Sequence, residues 1–151
     1  MSIIFNILGH NVTNVEPSSM MKLFEKNWNI KSSIDEVENE NFDLIYGSHS
    51  LEHVSDLNAF NNKIKKLSNK KTIFFWEVPN GEHSKCGPQE NRIDIPHTYY
   101  FTKKYFYNQY KNIILSYCYN SNLANTKLPF DFKSSEDKDG DCLVVIAKDT
   151  V

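Results

Sequence analysis

Residues 42–54 and 72–80 read FDLIYGSHSLEHV and TIFFWEVPN, and the fold class turns on these two stretches. Phe42 to Gly47 is an apolar strand with one acid, Asp43, near its start, and the Gly47-Ser48 pair reads as its end. After it, Leu57, Phe60, Ile64 and Leu67 recur at spacings of three, four and three. That is one stripe of a helix, and Lys63, Lys65, Lys66 and Lys70 lie mostly off it. Thr72 to Val78 is almost continuously apolar, which predicts a strand buried on both faces, and Pro79-Asn80-Gly81 turns the chain. Strand, helix, strand is the grammar of a parallel α/β unit.

Upstream, Val12 to Val15 is a short β-branched run broken by Glu16, Pro17 and Ser18. Ser19 to Asn27 then predicts a short helix with Met20, Leu23 and Phe24 on one side, and Ile30, Ile34 and Val37 suit a short edge strand and its exit. Downstream, residues 81–97 hold Gly81, Gly87, Pro88 and Pro96 among polar side chains, a loop of functional length. Thr102 is placed to cap a helix whose Phe106 packs against Phe101, a hydrophobic staple. Ile113 to Tyr119 and Cys142 to Lys148 predict two strands paired antiparallel at a sheet edge. The expectation is an α/β fold with a mostly parallel sheet. Its strands lie near residues 12, 42, 72, 113 and 142, and its helices near 19, 56 and 102.

With 151 residues, the chain suits one domain, residues 1–151, around a single core. A formal charge of −2, with lysines and acids mixed throughout, offers no basic face and argues against nucleic acid as a partner. No stretch approaches the roughly 20 apolar residues of a membrane helix, and no signal-peptide pattern opens the chain, so the reading is a soluble, cytoplasmic protein. The three cysteines, Cys86, Cys118 and Cys142, are odd in number and form no CxxC pair. They read as free thiols, with neither a disulfide framework nor a thiolate zinc site, and no metal is expected.

The order of FDLIYGSHSLEHV, amphipathic helix, TIFFWEVPN, loop and HTYYFT resembles the second half of S-adenosylmethionine-dependent small-molecule methyltransferases of the Rossmann-like class. The likeness is specific at residues 42–54 and 73–80, moderate at 12–18 and 96–102, and thin elsewhere. It implies that Glu16, after the strand NV, bonds the ribose hydroxyls of S-adenosylmethionine, for which a carboxylate that accepts two hydrogen bonds is well suited. A helix-opening role near the positive end of the dipole accounts for the same residue equally simply. The resemblance also turns Ser48 and His49 toward the cofactor and the reacting centre, because α/β sheets bind ligands at the carboxyl ends of their strands. His49 is the candidate base for an acceptor hydroxyl, or only lines the cleft. Glu52 and His53 match the family's EH pair, which secures the strand-to-helix turn. His97 and Tyr99 fall where relatives close the pocket over a small-molecule or sugar acceptor.

Members of that family begin with a strand and a GxGxG loop before the ribose-binding acid. Here the acid arrives at Glu16, and the only glycines before residue 80 are Gly9 and Gly47. The expectation is therefore an N-terminally truncated relative, with Ser2 to Gly9 as the end of the first helix or a substitute strand. The missing central strand leaves edges to be filled by a second copy, by a partner subunit or by rearrangement. Two rivals follow. One is a non-catalytic methyltransferase-like module that meets a partner through its sheet edge or through the aromatic run Tyr99 to Tyr110. The other is a zinc metallopeptidase, since His49-Ser50-Leu51-Glu52-His53 fits H-x-x-E-H. It would require a helix through both histidines and a third ligand.

Overall fold

A computed structural model describes residues 2–18, 29–38, 41–88, 97–121 and 140–150. The helix expected at Ser19 to Asn27 and the middle of the loop after Gly81, residues 89–96, lie outside them. The chain opens with helix α1 (Ser2–Ile7), then places β1 (Asn14–Val15) parallel to β2 (Ile30–Lys31) in a two-stranded sheet. The run at 12–15 thus yields two ladder residues. A single 3-10 turn, Ile34–Glu36, follows and packs Ile34 against the main core.

The main sheet holds β3 (Leu44–Ser48), β4 (Ile73–Pro79), β5 (Tyr110–Tyr119) and β6 (Cys142–Thr150), in the order β3-β4-β6-β5. β3 and β4 are parallel, and β6 runs against both β4 and β5, so three of these strands share one direction. Helix α2 (Leu57–Leu67) links β3 to β4, and helix α3 (Lys103–Gln109) feeds straight into β5. The mixed α/β class expected from the sequence is present. Its C-terminal strand is antiparallel as expected but internal, and β5 is the edge. The reason is legible in CLVVIA: Leu143, Val145 and Ala147 are buried on one face while Cys142 and Val144 are buried on the other. Such continuity belongs to a central strand.

Two further details differ from the pattern-based reading. β4 is not equally buried on its two sides. Phe74, Trp76 and Val78 are buried under the helices, whereas Ile73, Phe75, Glu77 and Pro79 are half-buried. Gly47 does not end its strand but lies inside it, opposite Trp76. A Cβ there would meet the Trp76 ring at 2.6 Å, so glycine is what lets the indole lie against β3.

The helices are fixed by conventional means. Asp56 caps α2, accepting hydrogen bonds from the N–H groups of Asn58 at 2.9 Å and Ala59 at 3.0 Å, which contributes about 1 kcal/mol. Ile64 and Leu67 are buried beneath it, with Leu57 and Phe60 partly so. Thr102 holds the cap position of α3 without a side-chain hydrogen bond, so the staple of Phe101 on Phe106 carries that end. Trp76 Nε1 donates to the buried Tyr110 hydroxyl at 2.7 Å, satisfying both polar tips inside the core. Among the described residues no helix is long and apolar enough to cross a membrane.

Candidate active site

Strand direction decides which side chains gather at one end of the main sheet. The carboxyl ends of β3, β4 and β5 coincide with the amino end of the opposed β6, so Ser48, Glu77, Tyr119 and Cys142 converge there. Glu77 is the hub. Ser48 Oγ donates to its Oε2 at 2.6 Å, and the Tyr119 hydroxyl donates to its Oε1 in a short bond. Burial first, and then this bond to Glu77, pushes the Tyr119 phenol well above its ordinary pKa, so it stays protonated.

His49 sits one residue beyond β3. Its φ of 47° is left-handed, uncommon for a side chain larger than glycine's, and its N–H donates to the Glu77 carbonyl at 2.9 Å. This bend takes the imidazole out of the strand's alternation. Nε2 lies 4.0 Å from Cys142 Sγ and Nδ1 lies 3.5 Å from Glu52 Oε1, with the His49 side chain 51% exposed. Cys142 first and Glu52 next raise the His49 pKa to about 10, against the opposing effect of burial. Both partners hold the proton on the imidazole, which favours giving a hydrogen bond over taking a proton.

Glu52 is the least expected member of the group. The 3-10 turn Leu51–His53 folds its side chain inward, to 2% exposure, and neither carboxyl oxygen finds a hydrogen-bond partner among the described residues. Its Oε1 stands 3.9 Å from His53 Nε2. Its backbone carbonyl accepts the N–H groups of Thr98 at 2.8 Å and Tyr99 at 3.2 Å, docking the start of the segment that follows the loop. That contact carries His97 to the His53 ring, with centroids 5.1 Å apart. The Tyr99 hydroxyl turns to the start of α2, accepting from Leu57 N at 3.3 Å and donating to the Ser55 carbonyl at 3.4 Å.

Of the residues singled out in the sequence, Ser48, His49 and His97 therefore share one end of the fold, while Tyr99 anchors a backbone. Glu16 follows β1 on the other sheet, where its N–H donates to the Lys31 carbonyl and its Oε1 accepts from Ser18 N at 3.0 Å. Residues 49–53 do not form the helix that the metallopeptidase pattern requires. A cleft of about 100 Å³ lined by Asn61, Lys65, Gln109 and Tyr110 lies at the opposite end of the sheet, where Tyr110 pairs with Thr150. Glu77, Tyr119 and Cys142 were not foreseen as site residues. Glu77 had a usable signal, as the only charge in an apolar strand.

The model of a methyltransferase domain family matches residues 1–116. The chain belongs to the methyltransferase domain family. The match takes in Glu16, Ser48, His49, His97 and Tyr99, while β6 with Cys142 lies beyond it. No curated protein matches the chain. For this methyltransferase domain, the resemblance read at residues 42–54 and 73–80 holds. For the family's cofactor the described residues offer one feature, an acceptor at Glu16 suited to ribose hydroxyls. Glu16 closes a strand with an acceptor group, and one hydrogen bond from Ser18 leaves lone pairs for ribose hydroxyls. The described residues offer no glycine-rich cradle for it, since Gly9 follows a helix rather than a strand.

Proposed function

We propose that this methyltransferase domain transfers a methyl group from S-adenosylmethionine to a small-molecule or sugar acceptor. The observation that carries the proposal is the convergence of Ser48 and His49 with Glu52, Glu77 and Cys142 at the carboxyl ends of parallel strands, the ligand end of an α/β sheet. The sulfonium cofactor, when bound, supplies an already activated methyl group, so the protein's work is orientation and exclusion of water. Glu16 holds the ribose. Ser48, fixed by Glu77, lines the cofactor side, and the His49 imidazolium donates to the acceptor and sets its approach. His97 closes the pocket from the far side of the loop, with Tyr99 pinning that segment to α2.

The test is calorimetric titration with S-adenosylhomocysteine, comparing the wild-type chain with Glu16→Ala. Micromolar binding that weakens tenfold or more in the variant is expected. No binding up to millimolar ligand would overturn the proposal for this chain by itself. The second reading, a module that works with another subunit, draws on the separation of the two-stranded sheet from the main sheet. In that case a copy or a partner would supply the strand between them, and binding would appear only in the assembled complex.

A further inference from the structure

We propose that Glu52, His53 and His97 form a binding site for a divalent transition-metal ion of the zinc type. One ligand atom from each side chain, a carboxyl oxygen and two imidazole nitrogens, lies within 4.8 Å of the others. Bonds of about 2.0–2.1 Å at tetrahedral angles place ligand atoms roughly 3.3 Å apart. Closure therefore needs a contraction of at most about 1.5 Å, which the imidazoles would supply by rotating. Glu52 Oε1 and His53 Nε2 already stand at 3.9 Å.

The independent observation is the state of Glu52. A carboxyl group 2% exposed, with neither oxygen hydrogen-bonded among the described residues, carries a desolvation cost that the neighbouring imidazoles offset only in part. It is aimed at two imidazoles. Contact with the His49 and His53 rings explains it only in part, because separations of 3.5 and 3.9 Å exceed the usual hydrogen-bond length. A cation held by one of the Glu52 oxygens and the imidazole nitrogens takes up a lone pair that these contacts leave unused.

The site is also built rather than accidental. His97 comes from beyond the loop, 44 residues after His53, and is held in place by the Thr98 and Tyr99 N–H groups bonded to the Glu52 carbonyl. The main chain of one ligand thus positions its neighbour, as the outer shells of metal sites do. Two imidazoles and one carboxyl leave at least one coordination position open, the arrangement of sites that take water or an oxygen ligand. The site uses the acid and second histidine of H-x-x-E-H but replaces His49 with His97. It also runs against the absence of metal expected from the cysteine spacing.

The test uses the metal-free full chain with Zn²⁺ by calorimetry and Co²⁺ by visible absorption, with no methyl-transfer readout, so its outcome is separate from that of the proposed activity. One equivalent bound at micromolar affinity or tighter is expected. His53→Ala and His97→Ala should each weaken binding at least tenfold while circular dichroism is unchanged, and His10→Ala should leave it intact. A dissociation constant above 1 mM, or binding that survives both His53→Ala and His97→Ala, overturns the proposal.

Discussion

The two ends of the main sheet are finished in opposite ways. At the amino ends of β3 and β4, the buried polar groups are matched by hydrogen bonds. Thr72, fully buried, donates its hydroxyl to the Phe42 carbonyl at 2.6 Å and accepts from Asn69 N at 2.8 Å, while Phe42 N reaches the Leu67 carbonyl at 3.1 Å. At the carboxyl ends, the polar groups come from distant parts of the chain. Ser48 and Tyr119 share Glu77, His49 lies between Cys142 and Glu52, and the Glu52 oxygens have no hydrogen bond among the described residues. One end is closed for stability. The other keeps bonding capacity in reserve, which is what a ligand site requires and what a stable core avoids.

The contrast is sharpest where stability is removed without touching the ligand end. Phe74 is fully buried against Tyr110, with ring centroids 4.8 Å apart. Phe74→Ala should cost roughly 3–5 kcal/mol, read as a lower urea midpoint, and a loss under about 1 kcal/mol would mean that the helical face of β4 is not the core. Thr72→Val is the next test. It keeps the shape but strands the Phe42 carbonyl and the Asn69 N–H, costing about 1–3 kcal/mol. Binding of S-adenosylhomocysteine should change little in Thr72→Val. A tenfold loss would show that the two ends are coupled.

The parts legible in the sequence were those governed by local period. The α2 stripe, both main strands and the parallel unit follow from side-chain alternation and helical spacing, which residues 42–80 display openly. What stayed hidden depends on pairing. That β6 inserts between β4 and β5 is a choice of partners, and only the two-sided apolar run CLVVIA hinted at it. Gly47 read as a terminator because glycine ends strands more often than it makes room, and the need for room comes from Trp76, 29 residues away. The site divided along the same line. Ser48 and His49 were visible as the end of a strand, whereas Glu52 was assigned to the turn because a 3-10 bend, not a sequence pattern, sends it inward. Cys142 joined the group only through strand order.

Glu52→Gln separates the two ends most directly, because it should move function while leaving stability nearly unchanged. The substitution relieves desolvation of a buried carboxylate but also removes its 3.5 Å pairing with the His49 imidazole, so the two effects oppose and stability should change by no more than about 1 kcal/mol. Metal binding should fall at least tenfold. Destabilisation beyond about 2 kcal/mol would instead make Glu52 a structural member of the turn and erase the contrast between the ends.

The smallest expected effect belongs to Asp141, an acid at the ligand end with both carboxyl oxygens engaged. Asp141 accepts from Ser121 N at 2.7 Å and from Ser121 Oγ at 2.6 Å, tying the end of β5 to the start of β6. Burial is the largest single influence on its carboxyl and acts to raise the pKa, but the hydrogen bonds from Ser121 and from its own backbone together outweigh it and hold the pKa below 3.8. A carboxyl whose folded pKa lies below its unfolded value adds stability that is present above the unfolded pKa and is lost as pH falls through the folded one. The stability difference between wild type and Asp141→Asn should therefore be constant from pH 5 to 7 and shrink below pH 4, measured by urea unfolding. A difference that persists undiminished at pH 2 would mean that the Ser121 bonds act without the charge. This acid would then resemble the matched groups of the amino end rather than the charge-bearing groups around it.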